Sequence, residues 1–170
     1  CYPYIYETSQ PCDYEILAED LFRQIGGILT LLPEAQEELF FELHELQPLL
    51  HNLKGSIRGH CSITASNLDW LLACYRVHKE YTRSTPPGFF LPRGPLPVPQ
   101  LNQAGLDAKR LLRIMFRLQI EESVEVPEIL FRFCNVLANY FSVLPKIVSR
   151  AHHFEEMPSP KQSDDVDMHY

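Results

Sequence analysis

The sequence predicts an all-α protein, an antiparallel five-helix bundle, and three observations carry that prediction. Five segments repeat apolar residues at a spacing of about 3.6. Most links between them are short, as between antiparallel helical neighbours. The one long link, residues 83–100, is proline-rich and lets the fourth helix approach the bundle along a different path. The 170 residues, 45% of them hydrophobic, suffice for one domain with a full core.

Residues 1–12 are rich in Tyr and Pro, show no helical period and read as an extended arm. The bundle domain then spans 13–154. The first helix is expected over Asp13–Leu32, with Asp13 at its cap and a stripe of Ile16, Leu17, Leu21, Ile25, Ile28, Leu29 and Leu32. Gly26 and Gly27 inside it each cost roughly 1 kcal/mol against Ala, which points to close helix–helix approach.

The second helix should open at Pro33, with Glu34, Glu37 and Glu38 complementing its amino terminus. It buries Leu39, Phe40, Leu43, Leu46, Leu50 and Leu53, is kinked at Pro48, and ends by Gly55 and Gly59. In the third, Ser66-Asn67-Leu68-Asp69 reads as a capping box. A stripe of Trp70, Leu71, Cys74, Val77, His78 and Tyr81 continues to about Thr82, with Trp70 in the core or at a subunit interface.

The fourth helix covers about Pro99–Glu121 and the fifth about Pro127–His152, with a kink at Pro145. Ile129, Leu130, Phe133, Leu137, Phe141, Leu144 and Val148 form the core face of the fifth. Residues 155–170 are acidic, hold few large apolar groups and are expected to be disordered.

Composition closes off several functions. A net charge of −7 argues against nucleic-acid binding, which calls for a basic surface. No apolar run reaches the roughly 18–20 residues that span a bilayer. The start lacks the basic region and apolar core of a signal peptide. These features lead us to expect a soluble, cytoplasmic protein with no membrane partner. The missing initiator Met suggests a chain that begins inside a longer product.

Cys1, Cys12, Cys61, Cys74 and Cys134 are odd in number and scattered, so neither a zinc site nor a disulfide framework is expected. Cys74 and Cys134 read as small core residues. Of His44, His51 and His60, only the first two share a face, with no accompanying carboxylate–histidine motif. No tightly bound metal is expected.

The stretch Pro86–Arg117 carries the functional signal. Lys109, Arg113 and Arg117 recur at i, i+4 and i+8, so they share one helical face, and Arg110 sits beside them. Leu101, Ala104, Ala108, Leu111, Leu112, Met115 and Phe116 take the other side. The basic face is either a solvated or acid-paired surface, or an anion site, since Arg forks and Lys charges bind phosphate. Phe89 and Phe90 are costly to expose and should pack inward or line an apolar ligand pocket. PxxP spacings such as Pro92–Pro95 also allow an SH3-type ligand. Asn135 and Asn139 share a face of the last helix, one turn beyond Arg132, and are either solvated or hydrogen-bonded to a ligand.

Three pieces of this chain, in order, resemble the carboxy-terminal half of the ATP:cob(I)alamin adenosyltransferases: FFLPRG, QLNQAGLDAKRLLR and EVPEILFRFCNVLAN. That family shows an F-x-L-P-G-G turn, then A-R-x-x-x-R-R-A-E-R on a helix, then N-R-L-S-D on the last helix. This chain keeps Phe89, Leu91, Pro92 and Gly94 of the turn. It keeps Ala104, Arg110 and Arg113, with Lys109 in place of an Arg, and Asn135 and Leu137 of the last segment. It departs at Gly105, Leu112, Val136 and Asn139, where the family has Arg, Glu, Arg and Asp. The family's T-G-D-x-G-type triphosphate loop has no counterpart in YIYETSQ, which offers only Thr8 and Ser9 as hydroxyl donors.

The resemblance implies an enzyme whose substrates are ATP, with Mg2+, and cob(I)alamin. Lys109, Arg110 and Arg113 would hold the phosphates. Glu19, in the position of the family's D-E-L, and Asn135 would orient Lys109 or the nucleotide. Phe89 and Phe90 would meet the corrin. The family's trimers, with sites between subunits, imply a homotrimer. The alternative is a non-catalytic relative that binds corrinoid or nucleotide as carrier, sensor or scaffold, which the absent loop fits. A third reading is a helical module whose proline-rich link or acidic tail recruits a partner.

Overall fold

The computed structural model describes residues 8–33, 35–83 and 90–159. Most of the amino-terminal arm, Glu34, Phe89 and residues 160–170 of the tail lie outside the described residues. Five helices follow in order: α1 (Gln10–Leu29), α2 (Glu37–Gly55), α3 (Ala65–Tyr81), α4 (Val98–Glu121) and α5 (Glu128–Ala151). None of them is long and apolar enough to cross a membrane.

The helix starts differ from expectation for local reasons. α1 begins at Gln10 rather than Asp13, with Ser9 at the cap and Pro11 in the first turn. Its first N–H groups need acceptors, and Glu122, just past α4, supplies one: the Gln10 N–H donates to Glu122 Oε1 at 2.9 Å. α2 begins at Glu37, one residue after Gln36, whose N–H donates to the Pro33 carbonyl at 2.9 Å. The capping box of α3 is built on Thr64, two residues before the expected Ser66. Thr64 Oγ1 accepts from the Asn67 N–H at 3.3 Å, and Asn67 Oδ1 accepts from the Thr64 N–H at 2.9 Å. α2 runs through Pro48 and α5 through Pro145.

The helices form a ring in the order α2, α1, α4, α5, α3, and α2 and α3 touch only sparsely where it closes. Cross-helix contacts fix the directions. Gln47 reaches the Phe22 carbonyl and Lys54 reaches Glu19, so α1 and α2 are antiparallel. Gln10 against Glu122 and Gln24 against Asp107 make α1 and α4 antiparallel. Phe116 on Phe131, and Gly105 on Phe141, do the same for α4 and α5. α3 and α5 run parallel, since His78 meets Tyr140 and the Tyr81 carbonyl meets Arg150. The long link before α4 makes this parallel pairing geometrically accessible.

Apolar faces of all five helices meet in one core, with Tyr14, Phe133, Tyr140 and Phe141 fully buried. Close approach is real at Gly26, where a Cβ would lie 3.0 Å from Gln47 Nε2, but not at Gly27, which faces open space. The expected stripes are wider than the buried ones. Phe40, Val77, Tyr81 and Phe116 are all exposed, and Trp70 is only partly buried. α3 packs mainly on α5, so it has one narrow contact face rather than two.

A buried polar knot fills the sparse closure between α2 and α3. Glu42 Oε2 accepts from Tyr140 OH at 2.8 Å and pairs with His78 Nε2 at 2.6 Å. Burial, then the Glu42 charge, pushes the Cys74 thiol up to about 12. Burial pushes Cys134 up to about 12 as well. No disulfide forms among the described residues.

Candidate functional site: the basic face of α4 and the turn before it

The turn that precedes α4 is folded tightly onto it. The Val98 N–H donates to the Pro95 carbonyl at 2.8 Å. A Cβ on Gly94 would lie 2.7 Å from Val98 Cγ1, so only glycine fits here without displacing the start of α4. The segment after α5 holds the turn from the other side. Leu91 N–H donates to the Met157 carbonyl at 2.9 Å, and Phe90 bridges to Pro158. Phe90 is half-buried, with Lys146 Nζ 5.5 Å from its ring centroid. Residues 155–159, assigned by sequence to the tail, therefore include a strap across this turn.

On α4 the basic residues are exposed as their spacing requires. At about 100° per residue, Lys109, Arg113, Arg117 and Arg110 fall within an arc of about 100° on the outer face. Lys109 lies at the edge nearer α5 and Arg110 at the edge nearer α1. Among the described residues Lys109, Arg113 and Arg117 make no ion pair, leaving three uncompensated cations on one face. Arg110 is different: its NH1 donates to Asp107 Oδ1 at 2.7 Å.

Asp107 escaped the sequence reading. It sits between Ala104 and Leu111, at i+3 and i−4, on the edge of the buried stripe, and is 1% exposed. A carboxylate in that register, where an apolar residue is the rule, is the signal that marks it.

The remaining expected residues fall as follows. Asn135 is exposed on α5, and the antiparallel register set by Phe116–Phe131 and Gly105–Phe141 puts it level with Leu111 and Leu112. It therefore shares the α4–α5 side of the basic face. Glu19 does not meet Lys109 within the chain. It is drawn to the α1–α2 side by Lys54 Nζ at 2.6 Å and by Arg23 at 2.6 Å. Phe89 lies outside the described residues. Gly105, where the resemblance would place an Arg, is buried, and its missing Cβ would stand 3.3 Å from Phe141 Cβ.

Two concave surfaces lie away from this face. One, of about 460 Å³, is lined by Leu29, Leu32, Pro33, Phe40 and Phe41 at the α1–α2 corner. The other, of about 370 Å³, lies between the ends of α2, α3 and α5. Among the described residues no group of three or more His, Cys, Asp or Glu side chains is placed to hold a metal ion.

No family profile matches the sequence, and no curated protein matches it. Solved structures do. A phenylalanine-to-histidine variant of the PduO-type ATP:corrinoid adenosyltransferase from Lactobacillus reuteri, complexed with cobalamin and ATP, superposes with a TM-score of 0.80 at 20% identity. That match covers 94% of this chain and 88% of that one. A phenylalanine-to-alanine variant of the same enzyme, with the same two ligands, gives 0.79 at 19%, covering 92% and 89%. An arginine-to-lysine variant complexed with ATP gives 0.80 at 19%, covering 91% and 90%. The chain thus has the fold of the PduO-type corrinoid adenosyltransferases over nearly its whole length.

Proposed function

We propose that this protein transfers the 5′-deoxyadenosyl group of ATP to cob(I)alamin, giving adenosylcobalamin and triphosphate. The observation that carries the reading is the trio of uncompensated cations on α4, set within this fold. Cobalt(I) supplies the electron pair for the new cobalt–carbon bond at C5′. The C5′–oxygen bond breaks, and triphosphate leaves with its pair.

No proton needs to move in that step, so the protein's contribution is positioning and charge stabilisation. Lys109 and Arg113 face the leaving triphosphate, whose charge grows as the bond breaks, with Arg110 adding directional donors and Mg2+ accompanying ATP. Asn135, level with Leu112 beside Arg113, orients the nucleotide. Glu19 acts on a neighbouring subunit's Lys109 if the chain forms the homotrimer that the family resemblance implies. A solution mass of a single chain, 19.7 kDa, would count against that assembly. Phe90, held by Lys146 and the Met157–Pro158 strap, meets the corrin, and Phe89 joins it there by the family resemblance.

The second reading, a non-catalytic corrinoid or nucleotide binder, draws on one observation. Where the resemblance calls for a further Arg, Gly105 is packed against Phe141, so one phosphate contact is closed off by helix packing. One anaerobic experiment separates the readings. Protein, chemically reduced cob(I)alamin and MgATP are mixed and the visible spectrum is followed. Conversion to adenosylcobalamin is expected, with Arg113→Ala slowing it roughly 10- to 100-fold through loss of a charged hydrogen bond. A corrinoid-bound spectrum without turnover would establish the binder instead. A spectrum identical to that of free corrinoid would remove both.

A further inference from the structure

Asp107 is a carboxylate placed where the helix pattern calls for an apolar side chain, and it is 1% exposed. A charge in such a position is retained only when partners replace its water. Gln103 Nε2 donates to both oxygens at 3.0 Å. Gln24 Nε2, from α1, donates to Oδ2 at 2.8 Å. Arg110 NH1 donates to Oδ1 at 2.7 Å and is the one cation of the set. The Gln24 amide is committed to this arrangement: its nitrogen also donates to Asp20 at 2.9 Å, while its Oε1 is buried without a partner. Arg110 remains 54% exposed, so part of its planar fork faces outward beside Arg113.

We propose that Asp107 is a positioning residue for the nucleotide site, fixing the Arg110 guanidinium from behind so that its outward N–H groups are aimed before an anion arrives. The inference rests on the reading of α4 as the triphosphate site. Two consequences follow from the pairing. Arg110 is ordered in the free protein, so binding does not have to freeze its rotamers. Its charge is also neutralised locally, so it contributes direction rather than long-range attraction, which falls to Lys109, Arg113 and Arg117. Loss of a cation should therefore flatten the salt dependence of ATP binding, whereas loss of the Arg110 fork with its charge kept, as in Arg110→Lys, should weaken binding with the salt dependence intact.

The test is calorimetric titration of the full chain with MgATP at low and high salt, with folding of each variant checked by circular dichroism. Arg113→Ala is expected to weaken binding and flatten its salt dependence. Asp107→Asn and Arg110→Ala are each expected to weaken binding about tenfold, the first with a steeper salt dependence because it uncovers the Arg110 charge and the second with a flatter one because it uncovers the Asp107 carboxylate. The double variant should be no weaker than Arg110→Ala alone, because Asp107 acts through Arg110. Arg110→Lys keeps the charge, loses the fork and leaves the core untouched, so it should bind as weakly as Arg110→Ala even where Asp107→Asn fails to fold. Parent-like binding by Asp107→Asn or Arg110→Lys, or a double variant weaker by the product of the two losses, would overturn the positioning role while the α4 site stood. Failure of the parent itself to bind MgATP would overturn both, and that result is distinct from the others.

Discussion

Individual side chains divide into those the sequence announces and those it conceals. The cations of α4 were legible because a charge every fourth residue has one helical interpretation. Asp107 was not, because a lone acid among apolar neighbours looks like a surface residue until the facing helix is known. The contact of Glu19 within the chain was hidden for the same reason: spacing along α1 says nothing of Lys54 on α2, which holds it at 2.6 Å. Gly105 shows that an absent side chain can be structural. Its replacement by Arg, the residue of the resembling family, should not restore a phosphate contact. With Phe141 Cβ 3.3 Å from the added Cβ, overpacking is expected to cost about 1–3 kcal/mol, read as a lowered urea midpoint with no gain in ATP affinity. Buried acids also set an alkaline limit. Cys74 and Cys134 are raised from 9.0 to about 12, and burial raises Tyr14 and Tyr140 well above their ordinary value of 10.0. The unfolded chain loses these protons first, so stability is full below about pH 9 and declines as pH rises toward 12. Melting temperatures measured from pH 7 to 11 should fall steadily above 9, and a flat profile would contradict the burial of these groups.

At the scale of elements, all five helices were readable from apolar periodicity, while their ends were not. The ends are decided by tertiary acceptors and side-chain caps: Glu122 reaching the start of α1, and Thr64 rather than Ser66 opening α3. The least legible element was the strap after α5. Its sequence is polar and short of large apolar groups, and its order comes from backbone pairing with Leu91 and Phe90. The knot around Glu42 joins three helices through Glu42, His78 and Tyr140, of which only His78 was read from the sequence, as a stripe residue. Glu42→Ala would strand His78 and Tyr140, both buried, and is expected to cost about 3 kcal/mol. Guanidinium unfolding of this variant should show a clearly lower midpoint, whereas a change near zero would mean that the knot is not a structural tie.

For the whole molecule, the resemblance read from three short motifs is matched by a fold shared over nearly the full chain with the corrinoid adenosyltransferases, at an identity near 20%. The motifs sit on α4, on α5 and in the turn between α3 and α4, and the antiparallel α4–α5 pairing lays the two helical motifs side by side. The ring also has an unequal circumference. Four of its seams are continuous helix-on-helix contacts, and the fifth, between α2 and α3, is closed mainly by the Glu42 knot. Such a ring should breathe at its clasp. In hydrogen–deuterium exchange, amides of α3 and of the outer half of α2 are expected to trade protons through a partial opening, well before those of α4 and α5, which exchange only when the whole chain unfolds. The face that carries the cations would then be the part of the protein that stays assembled longest.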